Sequence, residues 1–138
     1  MLKLILADDE EMIRESIRAL IDWDSIGVEV IASCKNGPET LQAILTLHPD
    51  IVMTDIKMPG MSGLDLIAEV YNHKDLMTEF ILLSGYADFE YAKQAITYRV
   101  SNYLLKPCNE NQIIEAVKKA SVEIRKRKKI KELIPDTA

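Results

Sequence analysis

The sequence predicts an α/β domain in which a mostly parallel sheet lies between layers of helix. Short aliphatic or β-branched runs recur at Leu2 to Ala7, Val28 to Ser33, Ile51 to Thr54, Phe80 to Leu83 and Ser101 to Leu105. Each has the length and composition of a strand buried on both faces. Helical patterns separate the runs, so strand and helix alternate through about five units, an order that calls for parallel strands joined by right-handed crossovers.

In chain order, the first run is followed by Ile13, Ile17, Leu20 and Ile21, which line one face of a helix expected to pack on the sheet. Pro38 after the second run suits the first turn of a second helix. Ser62 with Asp65 has the form of an N-cap and its reciprocal acid, and Asn109 with Gln112 repeats that logic before the last helix. There Ile113, Val117, Ala120 and Ile124 form the apolar stripe. After Ile124 the composition turns basic, through Arg125, Lys126, Arg127, Lys128, Lys129 and Lys131, and then reaches Leu133-Ile134-Pro135. A solvated helix end running into a linker, favoured by the negative pole of the helix dipole, explains this run better than a nucleic-acid patch. The expected organisation is therefore one domain over 1–124 and a basic helix end with linker over 125–138.

The totals agree with a single folded domain. The chain has 138 residues, 48% hydrophobic and 28% charged, which suffices for one ordinary core. Its net charge of -5 argues against the whole surface binding a polyanion, either nucleic acid or an anionic membrane. Cys34 and Cys108 are far apart and belong to no CxxC pair, so reduced thiols are expected rather than a disulfide framework or zinc site. The first apolar run is too short for a signal-peptide core, and no run reaches the roughly 20 residues that span a bilayer. A cytoplasmic protein without a membrane partner is expected.

In an open parallel sheet, ligands bind beyond the carboxyl ends of the strands. The residues placed there are Asp8 and Asp9 after the first run, Asp55 after the third, Ser84 after the fourth and Lys106 after the fifth. Carboxylates converging on one edge repel one another, and a hard divalent cation such as Mg2+ relieves that repulsion through oxygen ligands. One carboxylate can then act as a nucleophile toward phosphorus, with Lys106 and the Ser84 hydroxyl holding phosphoryl oxygens. Taken singly, the parts have plainer explanations. Asp8 to Glu11 can cap the first helix, Asp55 can be a turn residue, and Lys106-Pro107 can be a strand exit.

Four separated segments in order resemble bacterial response-regulator receivers: Asp8-Asp9-Glu10, Asp55 to Gly63, Ser84-Gly85-Tyr86 and Tyr103-Leu104-Leu105-Lys106-Pro107. The resemblance runs from about Leu2 to about Ile124. It implies a flavodoxin-like, doubly wound, five-stranded parallel sheet with five helices, and phosphoryl transfer to Asp55 from a partner sensor histidine kinase. It implies that Mg2+ binds through Asp9 and Asp55, with the Lys57 backbone carbonyl as a third protein ligand and Asp8 acting through water. Lys106 and Ser84 would ligate the phosphoryl group, the Lys106-Pro107 bond would be cis, and Ser84 and Tyr103 would form a coupled switch. Such a chain is a phosphoacceptor that assists its own phosphorylation and dephosphorylation, not a turnover enzyme. Lys57 and Tyr86 are bulkier than the residues often found two positions after the phosphoacceptor and the hydroxyl residue, so slow self-dephosphorylation is expected.

Ile21-Asp22-Trp23 and the run Leu83 to Lys93 resemble more narrowly the receivers joined to an arabinose-regulator-type helix-turn-helix output. DNA binding and transcription regulation then belong to a parent protein carrying that output, and Trp23 and Phe89 are expected to be packing residues. The family's usual surface for a phosphorylation-dependent homodimer is made by the fourth helix, fifth strand and fifth helix. Two rivals are a magnesium-dependent phosphatase, whose usual DxD pair is lacking here, and an interaction module with the same fold that takes no phosphate. His48 and His73 have no partners at metal-ligand spacing, Cys108 is expected as a small buried hydrophobe, and no nucleotide-binding glycine loop occurs.

Overall fold

The computed structural model describes residues 1–73, 76–85 and 100–133. Five strands, β1 (Leu2–Ala7), β2 (Val28–Cys34), β3 (Ile51–Asp55), β4 (Glu79–Ser84) and β5 (Val100–Leu105), form one sheet in the order β2-β1-β3-β4-β5. Every pairing is parallel. The strands match the apolar runs to within a residue at either end, because a strand buried on both faces needs apolar side chains at successive positions.

Side-chain alternation divides the core between the two faces of the sheet. Leu4, Leu6, Ile51, Met53, Ile81 and Leu83 face one way and pack on the C-terminal helix, Glu110–Leu133. Ile5, Val52, Phe80 and Leu82 face the other way, onto α2 (Gly37–Leu47) and α3 (Gly63–Tyr71), through Ile44, Leu66, Ile67 and Val70. This is the doubly wound arrangement that the sequence predicts. Trp23 is buried in the first cluster, and its indole N–H donates to the Arg18 carbonyl at 3.1 Å, as a packing role requires. Phe89 and the expected fourth helix fall on residues 86–99, outside the described residues.

The expected caps form. Ser62 and Asp65 make a reciprocal capping box on α3, Asn109 and Gln112 exchange 2.9 Å bonds before the C-terminal helix, and Pro38 falls in the first turn of α2, where Asn36 adds a cap that was not foreseen. That helix continues unbroken past residue 124 to Leu133. The first helix, α1 (Glu11–Leu20), meets the core through Ile17 and, one residue past its end, buried Ile21, but it is seated less closely than expected. None of its residues is fully buried: Ile13 and Ile17 are half-buried, Leu20 is 48% exposed and Met12 is 81% exposed. Its apolar side leans over a groove of about 480 Å³ bordered by Pro107, Cys108 and Ile113. Spacing identifies the amphipathic face but not how closely that face approaches the sheet.

Candidate functional site

The reversal of strand order falls between β1 and β3, whose chains leave the sheet toward opposite faces and open a crevice at their carboxyl ends. Asp8 follows β1, and Asp55 closes β3. Asp8 is buried at 1% exposure and Asp55 at 7%. Lys106 follows β5 and directs its ammonium between them, 2.9 Å from Asp8 Oδ2 and 3.1 Å from Asp55 Oδ2. Its own backbone N–H donates to the Ser84 carbonyl at 2.8 Å, tying the β5 exit to the end of β4. The Lys106-Pro107 bond is cis, as the resemblance implied.

Two acids thus share one cation in a partly desolvated crevice. Burial pushes the Asp55 carboxyl above its ordinary range; the charge of Lys106 opposes this, that of Asp8 adds to it, and hydrogen bonds from Lys106 and the Lys57 backbone N–H pull back without prevailing. Burial alone would lower the Lys106 ammonium, but its hydrogen bond to Asp8 and the charges of Asp55 and Asp8 outweigh burial and raise it. Lys106 is therefore a firm cation at neutral pH, and Asp55 is the strained member of the group.

The acids after β1 form the other half of the site. Asp8, Asp9 and Glu10 can each direct a carboxylate oxygen to within 4.8 Å of the others, the first buried and the other two exposed. Hard oxygen donors of this kind fit magnesium. Glu10 joins this group although the sequence reading did not assign it as a ligand; its contiguity with the two aspartates was the available signal. Simple capping does not account for the cluster. Glu10 occupies the N-cap of α1 without a side-chain capping bond, and Asp8 Oδ1 instead accepts the Glu10 backbone N–H at 2.9 Å.

Ser84 ends β4 fully buried, and its hydroxyl finds no hydrogen-bond partner among the described residues. Buried hydroxyls are normally paired, so an unpaired one at the same strand edge as Asp55 is suited to an incoming oxygen ligand. Tyr103 lies on β5 opposite Leu82, half-buried against the α2 and α3 face. Lys57 is exposed at the mouth of the crevice, while Tyr86 lies outside the described residues. His48 and His73 are exposed, and Cys108 is half-buried, its thiol donating to the Leu105 carbonyl.

One positioning residue was not foreseen. Gly63 begins α3 with its N–H bonded to the Ile56 carbonyl at 2.7 Å, and a Cβ there would stand 2.5 Å from the Asp55 carbonyl oxygen. Only glycine lets α3 begin directly against the Asp55 backbone. Gly63→Ala is expected to lower stability by about 2 kcal/mol, since backbone atoms on both sides must shift. Urea denaturation of the two proteins measures it, and an unchanged midpoint would show that the contact relaxes freely.

This geometry can be set beside known proteins. The response regulator receiver domain family matches residues 4–118. The chain belongs to that family. The receiver is 45% identical over 127 residues, 92% of its length, to the transcriptional regulatory protein YesN of Bacillus subtilis. It is 39% identical over 113 residues to the transcriptional regulatory protein HptR of Staphylococcus aureus, covering 82% of the receiver. It spans 34% of the former and 44% of the latter. Among solved structures, the receiver domain of AraT, a response regulator from Geobacillus stearothermophilus, superposes with a TM-score of 0.83 at 37% identity, covering 92% of this chain and 98% of that one. The two-component transcriptional regulator AraC from Clostridium phytofermentans gives 0.84 at 29% identity, covering 93% and 98%. Among the described residues of the receiver, no helix is long and apolar enough to cross a membrane.

Proposed function

We propose that the receiver accepts a phosphoryl group on Asp55 from the phosphohistidine of a sensor kinase. The observation that carries this reading is the placement of Lys106 Nζ between Asp8 and Asp55 at the carboxyl edge of the sheet. An Asp55 carboxylate oxygen attacks phosphorus, a new O–P bond forms, and the P–N bond to the donor imidazole breaks with its electron pair going to the leaving nitrogen. Lys106 moves its ammonium from the carboxylates to a phosphoryl oxygen, and the buried Ser84 hydroxyl donates to another. Magnesium would be held by Asp9 and Asp55 with the Lys57 carbonyl, and by Asp8 through water, and would supply positive charge that lets carboxylates and phosphate share the edge. Asp55 is modified once and must be hydrolysed before it reacts again, so the chain is a phosphoacceptor rather than a turnover enzyme.

Tyr103 is the second half of the proposed switch, turning inward when Ser84 is drawn to the phosphoryl group. Likeness to a longer transcriptional regulatory protein, and to chains from regulators named AraT and AraC, supports a parent protein with a transcriptional output; the same proposal makes that parent cytoplasmic, its output a DNA-binding helix-turn-helix and its dimer phosphorylation-dependent. Incubation with acetyl phosphate and magnesium is expected to add one phosphoryl group per chain, mapped to Asp55 by borohydride trapping and peptide mass, and blocked by EDTA. No adduct, or an adduct on another residue, would overturn the reading.

A further inference from the structure

We propose that Arg127 and Lys128 clamp the basic half of the C-terminal helix to the base of the sheet, fixing the direction in which the chain leaves the domain. At 24 residues the helix is about 36 Å long, against about 20 Å for a six-residue strand, so it overhangs the body that supports it. Its apolar contacts with the core end at Ile124. A helical end without tertiary support frays in water. This one has support of a different kind.

The Arg127 guanidinium is ion-paired with Glu79, whose side chain is only 2% exposed, and Lys128 Nζ lies 3.2 Å from Asp50 Oδ1. Both acids are at the amino ends of central strands, Glu79 opening β4 and Asp50 immediately preceding β3, at the sheet edge opposite Asp55. They are rigidly mounted. Asp50 Oδ2 accepts the Lys3 backbone N–H at 2.8 Å, the Asp50 N–H donates to the Lys3 carbonyl, and the Glu79 N–H donates to the Asp50 carbonyl, both at 2.9 Å. The Thr78 hydroxyl closes the base by donating to the Pro49 carbonyl. Two adjacent basic side chains, about 100° apart around the helix, thus grip two acids on neighbouring strands. One grip would leave the helix free to pivot, whereas two set its angle as well.

Arg127 carries most of the hold, because its partner is buried, whereas the Lys128 pair is water-exposed and screened. Residues 129–133, the helical turn after the clamp, inherit the orientation of β3 and β4, the same strands that end at Asp55 and Ser84. The clamp needs no phosphoryl group and stands whether or not Asp55 is modified.

Hydrogen exchange on the full 138-residue chain tests it. Since R127Q alone takes a cation from beside a buried carboxylate, the decisive variant is E79Q/R127Q, which removes both charges and leaves two neutral polar side chains. Amides of residues 125–133 are expected to exchange at least tenfold faster, with those of β3 and β4 unchanged and K128Q giving a smaller effect in the same segment. Unchanged exchange over 125–133, or acceleration of the strand amides by the same factor, would overturn the clamp, the latter by showing that the pair serves global stability alone.

Discussion

Asp55→Asn is expected to abolish phosphoryl uptake from acetyl phosphate while making the metal-free protein more stable. Loss of uptake follows from loss of the nucleophile, since a carboxamide oxygen does not form an acyl phosphate under these conditions. The gain has an electrostatic origin. Asp8 and Asp55 share the single ammonium of Lys106, and removing one negative charge leaves Lys106 fully paired with Asp8. Burial raises the Asp55 carboxyl above its unfolded value, so the folded state binds more protons in the intervening window. Stability from this group is therefore greatest below the ordinary aspartate pKa and declines as pH rises through the folded value. The advantage of asparagine should be about 1 kcal/mol at pH 7, a few degrees in thermal midpoint, and should fade below about pH 4. Calorimetry in EDTA at the two pH values reads it. A less stable Asp55→Asn protein at pH 7 would mean that Asp55 contributes more through its hydrogen bonds than it costs through its charge.

Lys106→Met reverses the sign of the stability change. Phosphorylation at saturating magnesium is expected to slow by about 10²–10³-fold, the usual effect of losing one preorganised charge at a transferring group. The same change leaves Asp8 and Asp55 facing each other without a cation in the crevice. A cost of about 2 kcal/mol in metal-free protein is expected, below the roughly 3–5 kcal/mol of a fully buried pair because Lys106 keeps some contact with water. Because the Lys106 ammonium is raised in the folded state, its stabilisation holds at neutral pH and disappears only as pH climbs above the ordinary lysine range and through the folded value. Lys106→Arg should recover stability more than rate, since a planar fork does not replace a compact ammonium that must change partners. A rate loss under tenfold for Lys106→Met would indicate that this ammonium does not touch the transferring group.

Most of this architecture was legible in the chain because its strands are buried on both faces. A continuous run such as Ile51-Val52-Met53-Thr54 leaves little ambiguity, and the polar residue that follows marks the functional edge. The juxtaposition of Asp8, Asp55 and Lys106 could be read as strand-end positions, but not the bridging ammonium, which depends on how three loops settle. Gly63 was unreadable for a similar reason: a glycine at a helix start is unremarkable until the Asp55 carbonyl is found beneath it. The ions of the clamp were harder still. Arg127 and Lys128 sit in a run of six basic residues within seven positions, 125–131, and nothing local distinguishes the two that meet acids on β3 and β4. Composition foretold a solvated helix end, and part of that end turned out to be fastened to the sheet.

The loose seating of α1 has a consequence for how the molecule can change over generations. Core positions of the sheet and the C-terminal helix tolerate few substitutions, because each methylene there is packed on several sides. With no residue fully buried, α1 escapes that restraint, and changes at its exposed positions should typically cost within about 0.5 kcal/mol. The helix begins immediately after the acids of the crevice, so its outer surface can be rewritten beside an unaltered crevice. Two descendants of this chain could thus keep the same arrangement of Asp8, Asp55 and Lys106 while presenting different faces to the molecules that approach it.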